Sequence, residues 1–122
     1  TRPVYATLMA SGRGEKIGDF VQSATPDGVF QFSGKYLTST MDIGALIHFD
    51  VPYAMPFHGA YAVHSAYWHD NWGEKVSLGC VNLSPLDAKW LYEWAEPSIP
   101  EGWDGMRFDN TTGYATVVVI HG

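Results

Sequence analysis

Ser77-Leu78-Gly79-Cys80-Val81-Asn82 runs directly into Leu83-Ser84-Pro85-Leu86-Asp87-Ala88, and after Cys80 the hydrophobic pattern changes period. Leu86, Trp90, Leu91 and Trp94 stand at i, i+4, i+5 and i+8, which predicts an amphipathic helix of about three turns with Trp90 and Trp94 in the core. Ser84 occupies the N-cap position, Pro85 the first helical position, and Asp87 follows three residues after the cap like the acid of a short capping box. Pro97 and Pro100 forbid continuation. Cys80 is the single cysteine of the chain, so it has no intrachain disulfide partner and reads as a buried core residue, a metal ligand or a nucleophile. It follows a glycine and precedes a helix start, where free N–H groups and the positive dipole end would stabilise a thiolate and an oxyanion.

Working outward, the rest of the chain reads mainly as β-structure. Residues Pro3 to Ala10 alternate as a two-faced strand, and Thr25-Pro26-Asp27-Gly28 is a turn signal before a short strand Val29 to Phe32. Gly34 breaks that strand, and β-type composition resumes over Tyr36 to Thr40. From Met41 to Ala54 the pattern is weak, interrupted by Gly44 and Pro52, and predicts a loop or loose hairpin placed to cover a site as a lid. Residues Phe57 to Ala66 read as one or two strands, and Trp68 to Lys75 as a polar, aromatic loop. Residues 96–105 form a Pro/Gly loop, and Tyr114 to Ile120 is an apolar closing strand expected at the centre of a sheet. The expected architecture is a mainly β domain over residues 1–122, a β-sandwich or small barrel with one short helix after the cysteine.

At 122 residues the chain suits one domain, and 46% hydrophobic with 15% aromatic residues requires a packed core. Five tryptophans favour core packing over a carbohydrate or peptide cleft. A net charge of −6 without any Lys/Arg run excludes a nucleic-acid or anionic-membrane partner. No apolar run reaches the length of a membrane span. The start Thr1-Arg2-Pro3 reads as a processed or truncated N-terminus, so the lack of a signal peptide leaves the compartment open.

A cysteine nucleophile needs a base within hydrogen-bond reach and a group that orients the base. The chain offers His48, His58, His64, His69 and His121. Of these, His64 lies in a strand-like segment and is followed by Ser65, whose side chain or carbonyl can hold the second ring nitrogen. Its separation from Cys80, 16 residues, is enough for a strand and a loop to return to the sulfur.

His64-Ser65-Ala66-Tyr67-Trp68-His69-Asp70-Asn71-Trp72-Gly73, followed by Ser77-x-Gly79-Cys80-Val81-Asn82, closely resembles the signature of the L,D-transpeptidase catalytic domain, the YkuD-type family. Thr25-Pro26-x-Gly28-Val29-Phe30 and Leu83-Ser84-Pro85-Leu86-Asp87-Ala88 add two further similarities, so that the resemblance covers about residues 25 to 95. It implies the L,D-transpeptidase fold. It further implies that Cys80 is the nucleophile toward a D-amino-acid-terminated stem peptide, His64 its base and Ser65 the residue that orients His64. Gly79 and Cys80 would offer N–H groups to the oxyanion. Ser77, Asn82, Tyr53, Tyr67 and His69 would stand on the oxyanion and substrate side, Asn82 shaping the loop rather than reacting. In this family a thioester forms, D-Ala leaves, and an amine of a second stem peptide resolves the acyl-enzyme into a 3-to-3 peptidoglycan cross-link, without metal or organic cofactor. The implied partners are peptidoglycan stem peptides and, as inhibitors, carbapenem-type β-lactams. The implied location is extracytoplasmic, in the bacterial cell envelope.

Two departures accompany the resemblance. Leu78 stands where the motif has His, which weakens polar support of the cysteine loop and opens the alternative of an inactive homologue that binds peptidoglycan through the cleft, Trp68 and Trp72. Family domains also begin with a strand or hairpin before the segment matching Arg2 to Ser11, which predicts an exposed sheet edge or one completed by a second chain. His58-Gly59 competes with His64 for the motif position but lacks the aromatic loop after it. A zinc set of His58, His64, His69 and Cys80 has no standard ligand spacing, and a papain-like reading fails because the His there follows the Cys.

Overall fold

The computed structural model describes residues 2–14, 16–17, 21–22, 24–42, 47–108 and 114–122. Three short strands, β1 (Ser11–Gly12), β2 (Lys16–Ile17) and β3 (Val21–Gln22), are followed by β4 (Gly28–Gln31), β5 (Gly34–Asp42), β6 (Ile47–His58) and β7 (Tyr61–Ser65). After β8 (Lys75–Ser77) and β9 (Val81–Leu83) comes the helix α1 (Pro85–Trp94), then β10 (Gly105–Arg107) and β11 (Val117–Ile120). A five-stranded sheet in the order β10-β5-β6-β7-β9 carries the fold, with three two-stranded pairs around it, β1-β8, β11-β4 and β2-β3. Among the described residues the fold is mainly β with one short helix, as the pattern predicts, and the sheets do not close into a barrel.

The core lies between this sheet and α1, with Met55, Val63, Val81 and Leu83 meeting Ala88 and Tyr92. Each large apolar side chain so removed from water adds about 2 kcal/mol. The helix is capped as its sequence dictates: Ser84 Oγ accepts from the Asp87 N–H at 3.3 Å, and Pro85 takes the first turn. Its buried face, however, runs through Ala88, Tyr92 and Ala95, while Leu86 and Trp94 are 81% and 51% exposed. Trp90 is instead stacked between Tyr5, at 4.1 Å, and Trp94, at 5.8 Å.

That stacking explains a second correction. Residues Pro3 to Ala10 do not form a strand; only Ala10 pairs, as an isolated bridge to Asn82. The arm is held by side chains, with the Tyr5 hydroxyl bonded to the Asp87 carboxylate and Thr7 Oγ1 donating to it at 2.7 Å. Nor is the apolar run at the C-terminal end central. Only Val117–Ile120 is a strand, its sole ladder partner among the described residues is β4, and Val117 and Val119 are more than half exposed while Val118 and Ile120 pack on the core.

The described residues between Met41 and Ala54 take the hairpin alternative of the prediction, β5 and β6 pairing as antiparallel arms with a register shift between Ser39 and Met41. Gly44 lies outside the described residues. The pattern looks weak because Pro52 sits inside β6 between two residues of positive φ, Asp50 and Tyr53, so the strand coils and its faces do not alternate regularly. Lys35, at the root of this hairpin, is 1% exposed. Its ammonium donates to the carbonyls of Ala95 at 2.6 Å and Pro97 at 3.0 Å and sits 4.8 Å from the Tyr92 ring, so a cation from the sheet caps the C-terminal end of the helix.

Candidate active site

Parallel pairing of β7 with β9 builds the site. The register Val63↔Val81, His64↔Asn82 and Ser65↔Leu83, with side chains alternating between faces, puts Val63, Val81 and Leu83 toward α1 and His64 and Asn82 on the other face. Cys80, two residues before Asn82, shares that face. His64, Asn82 and Cys80 accordingly line one cleft of about 430 Å³, together with Arg13, Met41, His48, Trp68, His69 and the segment Val76–Leu78 at the end of β8. The hairpin read from sequence as a lid thus supplies Met41 and His48 to the cleft wall.

His64 is 3% exposed, and its Nδ1 lies 2.8 Å from the Ser65 carbonyl. A carbonyl only accepts, so Nδ1 carries the proton and Nε2 keeps its lone pair. Burial pushes the His64 pKa down to about 4; the Ser65 carbonyl opposes this, and His48 and His69 add to it. Burial likewise pushes the Cys80 thiol up, with a backbone hydrogen bond from Ala62 pulling the other way. The sulfur contacts the Ala60 carbonyl at 3.8 Å, the pose of a thiol donor. The resting pair is therefore a neutral thiol and a neutral imidazole. The helix dipole expected to favour a thiolate is remote: β9 separates Cys80 from Ser84 by roughly 13 Å of extended chain, beyond the first-turn reach of the dipole.

The low His64 pKa has a stability consequence. The folded state depresses the pKa from 6.5 to about 4, so the stability it contributes is fully present above pH 6.5 and is lost as pH falls toward 4. The loss amounts to about 3 kcal/mol. Denaturant unfolding at pH 7 and pH 4 should show this difference in the unaltered chain and a smaller one in His64→Gln. An equal pH dependence in both proteins would contradict it.

The turn before Cys80 is closed by Ser77, whose Oγ donates to the Cys80 carbonyl at 2.5 Å and accepts the Gly79 N–H at 3.2 Å. That second bond occupies the Gly79 donor, which the sequence reading assigned to an oxyanion. Leu78 presents an apolar side chain to the cleft. Tyr67 does not line the cleft; it is 55% exposed, and its hydroxyl donates to the Phe49 carbonyl at 2.8 Å, tying the loop to the hairpin. Tyr53 is not brought to the cleft; it packs on Tyr92 with ring centroids 5.4 Å apart. His58 is likewise elsewhere, against Phe30 at 4.9 Å, and among the described residues no three His, Cys, Asp or Glu side chains converge as a metal site would require.

Arg13, Met41, His48 and Val76 line the cleft without having been read as site residues, and Trp68, offered in the sequence only for the binding alternative, stands there too. His48 stacks on Trp68 at 3.6 Å and 6°, and Trp68 leans on His64 at 5.8 Å. Trp68 stands four residues after His64, a spacing that a loop fold-back would have suggested; His48 and Arg13 come from remote segments and gave no local signal.

The sequence profile of the L,D-transpeptidase catalytic domain (YkuD) matches residues 1–120. The chain belongs to this family. Among solved L,D-transpeptidases, one from Mycobacterium tuberculosis H37Rv superposes with a TM-score of 0.64 at 28% identity, over 84% of this chain and 42% of its own. L,D-transpeptidase 3 from Mycobacterium tuberculosis, in complex with a faropenem-derived adduct, gives 0.60 at 30% identity over 71% and 39%. The enzyme from Mycobacterium smegmatis gives 0.60 at 27% identity over 84% and 47%. This L,D-transpeptidase domain spans less than half the length of each of these relatives. Among curated protein sequences, none matches it.

Proposed function

We propose that this domain is a peptidoglycan L,D-transpeptidase with Cys80 as nucleophile and His64 as base. The observation that carries the reading is the shared face of β7 and β9, which puts both residues in one cleft with His64 Nδ1 held by the Ser65 carbonyl. The sulfur attacks the stem-peptide carbonyl that precedes the terminal D-Ala, and its proton passes to His64 Nε2. The oxyanion takes the Cys80 N–H. When the C–N bond breaks, His64 returns the proton to the leaving D-Ala amine, and a thioester remains. The side-chain amine of a second stem peptide attacks that thioester, the C–S bond breaks, and the displaced sulfur regains a proton through His64. This chemistry places the domain outside the cytoplasm, in the cell envelope. The faropenem adduct of its relative leads us to extend acylation by β-lactams to Cys80.

A second reading, a module that holds peptidoglycan without turnover, is favoured by the apolar Leu78 and by the engaged Gly79 N–H. Incubation with a disaccharide tetrapeptide separates the two. Transpeptidation gives a thioester mapped to Cys80, free D-Ala and, with acceptor present, a cross-linked dimer. Retention of intact muropeptide without thioester or D-Ala release would sink the enzyme reading.

A further inference from the structure

The chain carries 13 Asp and Glu against 7 Lys and Arg, yet among the described residues no carboxylate lines the cleft around Cys80. The wall instead holds one guanidinium, Arg13, and three imidazoles. Of these, Arg13 carries the fixed positive charge, whose sign attracts an anion. Arg13 is anchored by its backbone: its N–H donates to the Ser77 carbonyl at 2.9 Å, next to the pairing of β1 with β8, which roots the side chain beside the Cys80 turn. The ion pair seen among the described residues joins Lys89 to Glu93 on α1, and no carboxylate among those residues pairs with the Arg13 guanidinium. A second donor faces the same lack. His69 Nδ1 accepts the Asn71 N–H at 3.0 Å, so the neutral ring carries its proton on Nε2, and that atom is buried with no partner. A buried donor left unpaired is costly, and a ligand oxygen would satisfy it.

We propose that Arg13, aided by His69 Nε2–H, is a specificity-determining subsite for the C-terminal α-carboxylate of the donor peptide. Because about 430 Å³ is shared by Cys80 and Arg13, the carboxylate lies close to the attacked carbonyl, and a chain-terminal carboxylate one residue further on, about 3.5 Å along the chain, meets that requirement. The subsite therefore selects peptides that end one residue after the scissile bond and rejects those that continue. This rests on reading the cleft as the acyl-transfer site.

The test measures binding rather than turnover. A Cys80→Ala variant is titrated by NMR with a tetrapeptide ending in D-Ala, once as the free acid and once as the C-terminal amide. The acid should bind at least about tenfold more tightly than the amide. Adding Arg13→Gln should lower acid affinity to the amide level and leave the amide unchanged, while Arg13→Lys keeps part of the preference. Arg13 is exposed and bonds through its backbone, so these changes spare the fold. Equal affinities for acid and amide, a preference that survives Arg13→Gln, or no measurable binding of the acid would overturn the subsite. If the preference appears but the unaltered domain never releases D-Ala, the transpeptidase reading fails and the subsite stands.

Discussion

Acylation of Cys80 in a His64→Ala variant is expected to run about 10³ times more slowly than in the unaltered domain, within the range that a positioned general base contributes. The size follows from the resting state. A thiol raised by burial and an imidazole lowered to about 4 cannot form a standing thiolate–imidazolium pair at neutral pH, so the proton must move as the sulfur attacks. Removing Nε2 leaves only the small thiolate fraction to react. The pH profile carries the same signature. The unaltered domain should keep its acylation rate down to an acidic limb near pH 4, where His64 becomes charged, rather than near 6.5. His64→Ala should instead speed up about tenfold per pH unit toward the thiol pKa, as the thiolate fraction grows. Stopped-flow acylation by a β-lactam across pH reads both limbs, and added imidazole should restore part of the lost rate. A loss below tenfold, or a flat profile in the variant, would remove His64 from the role of base.

The sequence carried the helix start and the two residues proposed as the chemical pair, because these are local: Ser84-Pro85 and Asp87 cap a turn wherever they occur, and His64 and Cys80 sit in a motif of fixed order. What it could not carry was set by pairing at a distance. Nothing in Val81-Asn82-Leu83 announces that it runs parallel to Val63-His64-Ser65, although that register alone puts His64 and Cys80 on one face. Lys35 offered no sign of burial, since its partners are the Ala95 and Pro97 carbonyls some 60 residues away. The arm before Ala10 alternates like a strand, but Tyr5 and Thr7 find a carboxylate on α1 before their backbone finds a ladder. His48 reached the cleft because a proline-containing strand coils, which a period count registers only as a weak pattern. The thiol pKa went the opposite way from the motif-based reading because burial outweighs a dipole that ends one strand away.

Gly79→Ala should slow acylation of Cys80 about 10²-fold or more and lower the unfolding free energy by about 2 kcal/mol, although it adds a single methyl group. Gly79 has φ of +122°, a region that residues with a Cβ avoid at a cost of about 1–3 kcal/mol. An added Cβ would also lie 2.2 Å from Cε1 and 2.8 Å from Cδ1 of Tyr61. Those are ring atoms at the start of β7, packed against the core and parallel to His58 with centroids 6.2 Å apart, so the ring has little room to yield. The turn must move instead, and with it the Ser77 hydroxyl bonds that fix the Cys80 carbonyl and the Gly79 N–H. A displacement near 1 Å at the sulfur is enough for a hundredfold loss in a reaction that depends on approach geometry. The double variant Gly79→Ala with Tyr61→Leu separates the two causes. Relief of the clash should recover most of the rate, while the cost of the positive φ persists in the unfolding free energy. An unchanged acylation rate in Gly79→Ala would mean that the turn before Cys80 does not hold the nucleophile in place.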